Sequence, residues 1–223
     1  MIAVGEPLIR WNWISGHGSD ILSRVGEHIE LTVIAVVVGL LISFPLGVWA
    51  HRNRRVYAPV TWFAGFVYTI PSLALFVLLI PITGLTITTV EIGLVSYTLL
   101  ILIRNVVAGL DEVPDDVKDS ARGMGLTDRQ ILWRVEVPLA LPVIIAGIRV
   151  ATVSTIGLVT VGAFIGKGGL GQFILEGLQT FFNTEIILGA VLSVVLAFFA
   201  EVILLGFQRL VTPWVRASVG RSA

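Results

Sequence analysis

The sequence predicts an all-α membrane protein built on five transmembrane helices. Three observations lead there. Of its 223 residues, 56% are hydrophobic and only 13% charged, roughly half the charged share of a soluble domain. The apolar residues collect into runs of about 20 or more, the length that crosses a bilayer as a helix. The charged residues collect between those runs, most densely in a stretch at 111–138. Cysteine is absent, which excludes disulfides and cysteine-based zinc or redox sites. The formal net charge is zero, which speaks against a nucleic-acid surface.

Residues 1–28 form a polar and aromatic arm in which Trp11 and Trp13 lie close together. Tryptophan favours the membrane–water interface, so the arm either lies along that interface or is a disordered tail. Residues 1–20 have neither an apolar core nor a charged leading segment. The first span is therefore expected to act as its own insertion signal.

That span covers 29–50, with Glu30 at its edge and the basic loop His51, Arg52, Asn53, Arg54, Arg55 after it. The second covers 56–80 and contains Tyr68, Thr69, Ile70, Pro71 and Ser72. A proline inside a span frees a carbonyl and bends the helix. Tyr68, Thr69, Pro71 and Ser72 are thus candidates for lining a pathway, or else a kink packed against neighbours. An uncharged turn at 81–89 leads to the third span, 90–110, near whose end Arg104 can snorkel. The fourth span covers 139–165 and is followed by GKGGLG at 166–171. A short surface helix at 172–182, a fifth span at 185–208 and a tail at 209–223 complete the chain. The transmembrane domain is accordingly 29–208.

Five spans put the termini on opposite sides, and Lys and Arg decide which side is which. One side carries Arg52, Arg54, Arg55, Lys118, Arg122, Arg129, Arg134, Arg209, Arg216 and Arg221; the other carries Arg10, Arg24 and Lys167. The excess puts the N-terminus outside, and the loop 111–138 and the C-terminus in the cytosol.

Within the loop, Pro114 suits the first turn of a helix, where its missing N–H is not needed. Asp115 and Asp116 then lie where the helix dipole favours negative charge. Val117, Ala121 and Met124 share one face, and Gly125 suits a left-handed cap. Thr127 and Gln130 have the spacing of a capping box for a second short helix over 128–135, closed by Pro138. By spacing alone this is either an ordinary connection or a docking loop.

Arg149 and Glu201 are charges deep in apolar runs. Each costs roughly 2.5–3.5 kcal/mol at a span centre, so they are expected to face the bundle interior and pair. Such a pair is either a gate or, as we favour, a static tie between spans four and five. GKGGLG is no phosphate loop: Gly162 to Gly166 leaves three intervening residues where four are needed, and no Ser or Thr follows Lys167. Gly162 and Gly166 read better as a small-residue helix contact. His17, His28 and His51 show no ligand spacing. No serine has the flanks of a nucleophile elbow, so nothing supports an intramembrane enzyme.

The stretch 119–138, DSARGMGLTDRQILWRVEVP, resembles the EAA loop of permease subunits of binding-protein-dependent ABC importers. That pattern is Glu-Ala-Ala, three residues, Gly, nine residues, Ile, one residue, Leu-Pro. Asp119, Ser120 and Ala121 take its first places, then Gly125, Val135, and Val137 with Pro138, at the same spacing. Asp119 is one methylene shorter than the usual glutamate. TIPSLAL at 69–75 and IGKGGLG at 165–171 resemble the osmoprotectant branch, with the methionine and sulfonate permeases as close relatives.

The resemblance implies the type I importer permease fold over about 27–208. It implies an import function for glycine betaine, carnitine, choline or proline betaine, with methionine- or sulfonate-type solutes as the alternative. It implies a second permease subunit, same or homologous, an external substrate-binding protein, and ATPase subunits gripping the loop. ATP and Mg would belong to those ATPases, with no cofactor in this chain. Coupling would fall to Asp119, Ser120, Ala121, Gly125, Ile131, Val135 and Pro138. The expected location is the plasma (inner) membrane of a prokaryote. For a quaternary ammonium substrate, Phe66, Tyr68 and Tyr97 are the aromatic candidates along the path.

Overall fold

Every regular element is helical in the computed structural model, which describes residues 7–214. Arg216 and Arg221 of the tail, and the first six residues of the arm, lie outside the described residues. The elements are α1 (Trp11–Gly16), α2 (Gly18–Arg52), α3 (Arg54–Thr69), α4 (Ser72–Thr83), α5 (Ile87–Asp111), α6 (Asp115–Gly123), α7 (Asp128–Ile131), α8 (Val137–Val161), α9 (Gly171–Thr180) and α10 (Asn183–Val211). A π-helical turn, Leu132–Glu136, joins α7 to α8, and a 3₁₀ turn, Gly162–Ile165, ends α8.

Four helical stretches are long and apolar enough to cross a membrane: Gly18–Arg52, Ile87–Asp111, Asp128–Ile165 and Asn183–Val211. The run at 56–80 differs from expectation. It is two helices bent by 97° at Ile70–Pro71, and passes as a span only when the pair is taken together. Pro71 stands at the N-cap of α4, where its fixed φ starts a helix instead of kinking one. Pro81, expected in a turn, is carried inside α4.

The residues group into two compact units, 1–35 with 70–94 and 153–199, and 36–69 with 95–152 and 200–223. The backbone passes from one unit to the other five times: within α2, between α3 and α4, and within α5, α8 and α10.

In the first unit the chain is tied together around His28, which is fully buried. Its Nε2 lies 3.0 Å from the Ile156 carbonyl, and its Nδ1 accepts from the Leu170 N–H at 3.3 Å. Those two partners fix the tautomer with the proton on Nε2. Gly169, at φ +50°, lies so close that a Cβ would come within 2.9 Å of the His28 backbone nitrogen. Gly169→Ala therefore combines left-handed strain with overpacking. It is expected to cost about 2 kcal/mol, read as a drop in melting temperature of the detergent-solubilised protein.

The arm is not a separate tail over its described part. The helix expected from residue 29 starts at Gly18, because Arg24 pairs with Asp20, Glu27 and Glu176 along its polar first turns. Trp13 packs edge-on to Phe173 and Phe182, and the Arg10 N–H donates to Thr184 Oγ1 at 3.0 Å. The expected surface helix is α9. It buries Gln172, Phe173 and Gly177 and so has an inner face.

In the second unit two apolar clusters hold α2, α3, α5 and α8. One is Ala50, Ala64, Leu100, Ile103 and Val107; the other is Val106, Leu110, Leu132, Ala140 and Ile144. Gly109 lets α5 approach α8 so closely that a Cβ would meet the Ala140 carbonyl at 2.9 Å, the small-residue contact of membrane helices.

Candidate functional site

The polar loop is built from two capped helices. Pro114 proves to be the N-cap of α6, one place before the expected first turn, and Asp115 and Asp116 follow it. Lys118 pairs with Asp115 at 2.7 Å, which with its positive charge holds the Asp115 carboxyl below its ordinary range. That contribution is present at neutral pH and is lost as acid protonates the carboxylate. Asp115 is exposed, so it is slight.

The end of α6 is a Schellman turn. The Leu126 N–H donates to the Ala121 carbonyl at 3.2 Å and the Gly125 N–H to the Arg122 carbonyl at 2.9 Å, with Gly125 at φ +83°. A left-handed residue is what this pattern requires. Thr127 and Gln130 then form the capping box: the Gln130 N–H donates to Thr127 Oγ1 at 3.4 Å, and the Thr127 N–H to Gln130 Oε1 at 2.8 Å. Thr127→Ala removes an N-cap worth about 1 kcal/mol. It is expected to lower the melting temperature by about 2–4 °C, with α8 intact by circular dichroism.

Pro138 does not close the second helix. The chain runs helically from Asp128 to Ile165, because the turn before the proline is wound as a π-turn, with the Val137 N–H donating to the Leu132 carbonyl five residues back. The wider turn makes room for the proline ring near the start of α8, where its missing donor matters least.

The residues assigned to coupling divide by exposure. Ala121 and Ile131 are buried and fasten the loop to its own unit. Asp119, Ser120 and Gly125 are exposed, and Val135 and Pro138 half-buried. Arg122 pairs with Asp119 at 2.7 Å. Met124, expected on the inner face with Val117 and Ala121, is 73% exposed instead, because the chain leaves the helix there. A polar socket of about 300 Å³ lies beside the loop, lined by His51, Arg52, Asp115, Lys118, Arg122, Asp128, Ile131 and Glu136. At its rim Asp111 accepts from His51 Nδ1 at 2.6 Å and pairs with Arg54 at 2.9 Å.

Arg149 and Glu201 are brought together as an ion pair. Sequence reasoning missed the third member: Gln208 accepts from Arg149 Nη1 at 2.8 Å and donates to the Pro142 carbonyl at 3.0 Å. Gln208 lies seven residues, two helical turns, after Glu201, a spacing that would have put both on one face of α10.

Tyr68 stands edge-on to the buried Tyr97, ring centroids 5.6 Å apart. Phe66 is exposed and stacked with Trp62. Thr69 Oγ1 donates to the Phe66 carbonyl at 2.7 Å, and Ser72 opens α4.

A family model described as binding-protein-dependent transport system inner membrane component matches residues 31–217. The glycine betaine/carnitine/choline transport system permease protein OpuCB of Bacillus subtilis (strain 168) is 37% identical over 201 residues, 90% of this chain and 93% of that one. The carnitine transport permease protein OpuCD of Listeria monocytogenes serotype 1/2a (strain 10403S) is 37% identical over 198 residues, covering 88% and 89%. Among solved structures, the inward-facing MetNI methionine ABC transporter matches with a TM-score of 0.77 at 25% identity, over 86% of this chain and 96% of that one.

Proposed function

This chain belongs to the binding-protein-dependent transport system inner membrane component family, as a type I importer permease of the osmoprotectant branch, and we propose that it forms part of the pathway for glycine betaine, carnitine, choline or proline betaine. Its relatives are transport permeases, so the chemistry asked of it is movement of solute, with no bond made or broken. The observation that carries the mechanism is the doubly capped loop at 111–138, anchored by Ala121 and Ile131 and exposing Asp119, Ser120 and Gly125.

ATPase subunits carrying ATP and Mg grip that exposed edge. An external binding protein delivers the solute, and a second permease subunit, same or homologous, supplies the other half of the path. Val135 and Pro138 pass the loop's displacement into α8. Tyr68, Thr69, Pro71 and Ser72 line the path at the break between α3 and α4. The Arg149–Glu201 pair ties α8 to α10.

Five spans, with the N-terminal arm outside and the tail in the cytosol, take the broken pair α3 and α4 as one span beside the four long apolar helices. Charge along the chain supports this order: Arg52, Arg54, Arg55, Lys118, Arg122, Arg129, Arg134 and Arg209 belong to one set of connections, and Arg10, Arg24 and Lys167 to the other. By the positive-inside rule the loop at 111–138 faces the cytosol of a prokaryotic plasma (inner) membrane.

The test is uptake into proteoliposomes holding the permease pair, its ATPase and its binding protein. Labelled glycine betaine, carnitine and choline are compared with methionine and a sulfonate. ATP-dependent uptake of the quaternary ammonium solutes is expected. Uptake of methionine or the sulfonate alone would move the chain to the alternative branch.

A further inference from the structure

The glycine-rich loop at 166–171 leads straight into α9, whose ten residues start at Gly171. Part of its backbone is accounted for. The Lys167 N–H donates to the Gly162 carbonyl at 3.1 Å, the Gly171 N–H to the Gly168 carbonyl at 2.8 Å and the Gln172 N–H to the Gly169 carbonyl at 3.1 Å. The Leu170 N–H is taken by His28. What remains is a set of donors. The N–H groups of Gly168 and Gly169, both buried residues, form no hydrogen bond among the described residues. Gln172 is only 7% exposed, and its Nε2 is shut away from water without a partner. Side chains lean toward the N-terminus of their helix, so Gln172, the second residue of α9, carries that amide back over the loop. Lys167, half-buried where the loop begins, has no ion pair among the described residues. Buried donors left without partners are rare in folded proteins. A cation and unmet N–H groups at the start of a helix, where its dipole is positive, are the complement of an anion.

We propose that the loop 166–171 and the first turn of α9 hold the carboxylate of a zwitterionic solute such as glycine betaine, carnitine or proline betaine. This rests on the reading of the chain as an osmoprotectant permease, which also puts Lys167 on the outer side, where a binding protein releases its load. Lys167 supplies the charge. Gln172 Nε2 and the two glycine N–H groups supply direction, as charge-assisted hydrogen bonds to the carboxylate oxygens. Choline has the same trimethylammonium group and no carboxylate, so it passes without engaging the site. The site therefore bears on which quaternary ammonium solutes are favoured, and not on the ammonium group they share.

The experiment measures ATP-dependent uptake of labelled glycine betaine, carnitine and choline by proteoliposomes holding the permease pair, its ATPase and its binding protein. Lys167→Met keeps the side-chain stem and drops the charge; Gln172→Met keeps the length and drops the amide. Each is expected to slow uptake of glycine betaine and carnitine about tenfold and to leave the choline rate as in wild type. Melting temperatures in nanodiscs separate lost recognition from a misfolded loop, and Lys167→Met decides alone if Gln172→Met melts low. An unchanged glycine betaine rate in Lys167→Met overturns the proposal. Equal slowing of choline also overturns it, because a contact with the binding protein, or a purely structural role, would slow all three solutes. If wild type carries glycine betaine and no choline, the decision passes to equilibrium binding of labelled glycine betaine to the permease pair in nanodiscs. Acetate is expected to displace it, and Lys167→Met to abolish binding. Failure of acetate to displace it, or no binding to wild type, overturns the proposal. If wild type carries only methionine or a sulfonate, the functional reading falls and this one falls with it.

Discussion

Gly125→Trp is expected to leave the permease folded in its membrane and to cost it the ATPase. The residue sits at φ +83°, and a Cβ added there would have nothing within 4 Å, so an indole finds open space at its root. The backbone strain of a side chain in that region is about 1–2 kcal/mol, too little to unfold the loop. The bulk instead points outward from the exposed edge between Arg122 and Asp128, where the proposed ATPase contact lies. Copurification from native membranes in mild detergent reads the result, with a nucleotide-binding subunit present in wild type and absent in the variant. Gly125→Asn separates the causes, because asparagine tolerates the left-handed region and is small. It should retain the ATPase. Retention by the tryptophan variant as well would remove the loop from the coupling mechanism.

Charge reversal at the intramembrane pair is expected to abolish transport in either single variant and to recover it in the double. Arg149→Glu would face Glu201 with a like charge in a region where an unpaired ion costs roughly 2.5–3.5 kcal/mol. The pair matters more than its contact suggests, because only 11% of the apolar window of α10 is buried within the chain. Arg149, Gln208 and the Pro142 carbonyl are among the few polar ties that α10 has to α8. The static reading expects melting temperature and uptake to recover together in Arg149→Glu with Glu201→Arg. A double variant that regains stability and not uptake would mean that the pair acts during the transport cycle. No recovery of either would show that the two charges do not act as a pair.

The features legible in the sequence were those fixed by residues close together along it. The capping box at Thr127 and Gln130, and the left-handed Gly125, are set by local hydrogen bonds and one φ angle, and both stand as expected. The apolar runs were legible because bilayer thickness sets their length. Pro138 misled because a proline reads as a stop unless the turn before it widens, and a π-turn has no sequence signature. Pro71 misled in the opposite direction, breaking the span where a kink was expected. His28 was legible only as a histidine without ligand spacing; its partners Ile156 and Leu170 are 128 and 142 residues away. Glu136 was passed over because a lone acid two residues before a proline looks like any loop acid, and only the fold places it against a socket lined by Arg52, Lys118 and Arg122.

The sparse burial of α10 bears on how cells keep such a subunit. A helix of 29 residues whose apolar window is 11% covered by its own chain leaves the rest to lipid and to the proposed second permease subunit, and whatever stability comes only on assembly depends on how much partner is present. A copy made in excess of its companions should therefore be short-lived, recognised by membrane proteases and cleared. Matched expression from a shared transcript would then be a folding requirement, and stoichiometry would be enforced by degradation of the orphan. Pulse-chase of the chain with and without its co-expressed partners would show it as a difference in half-life.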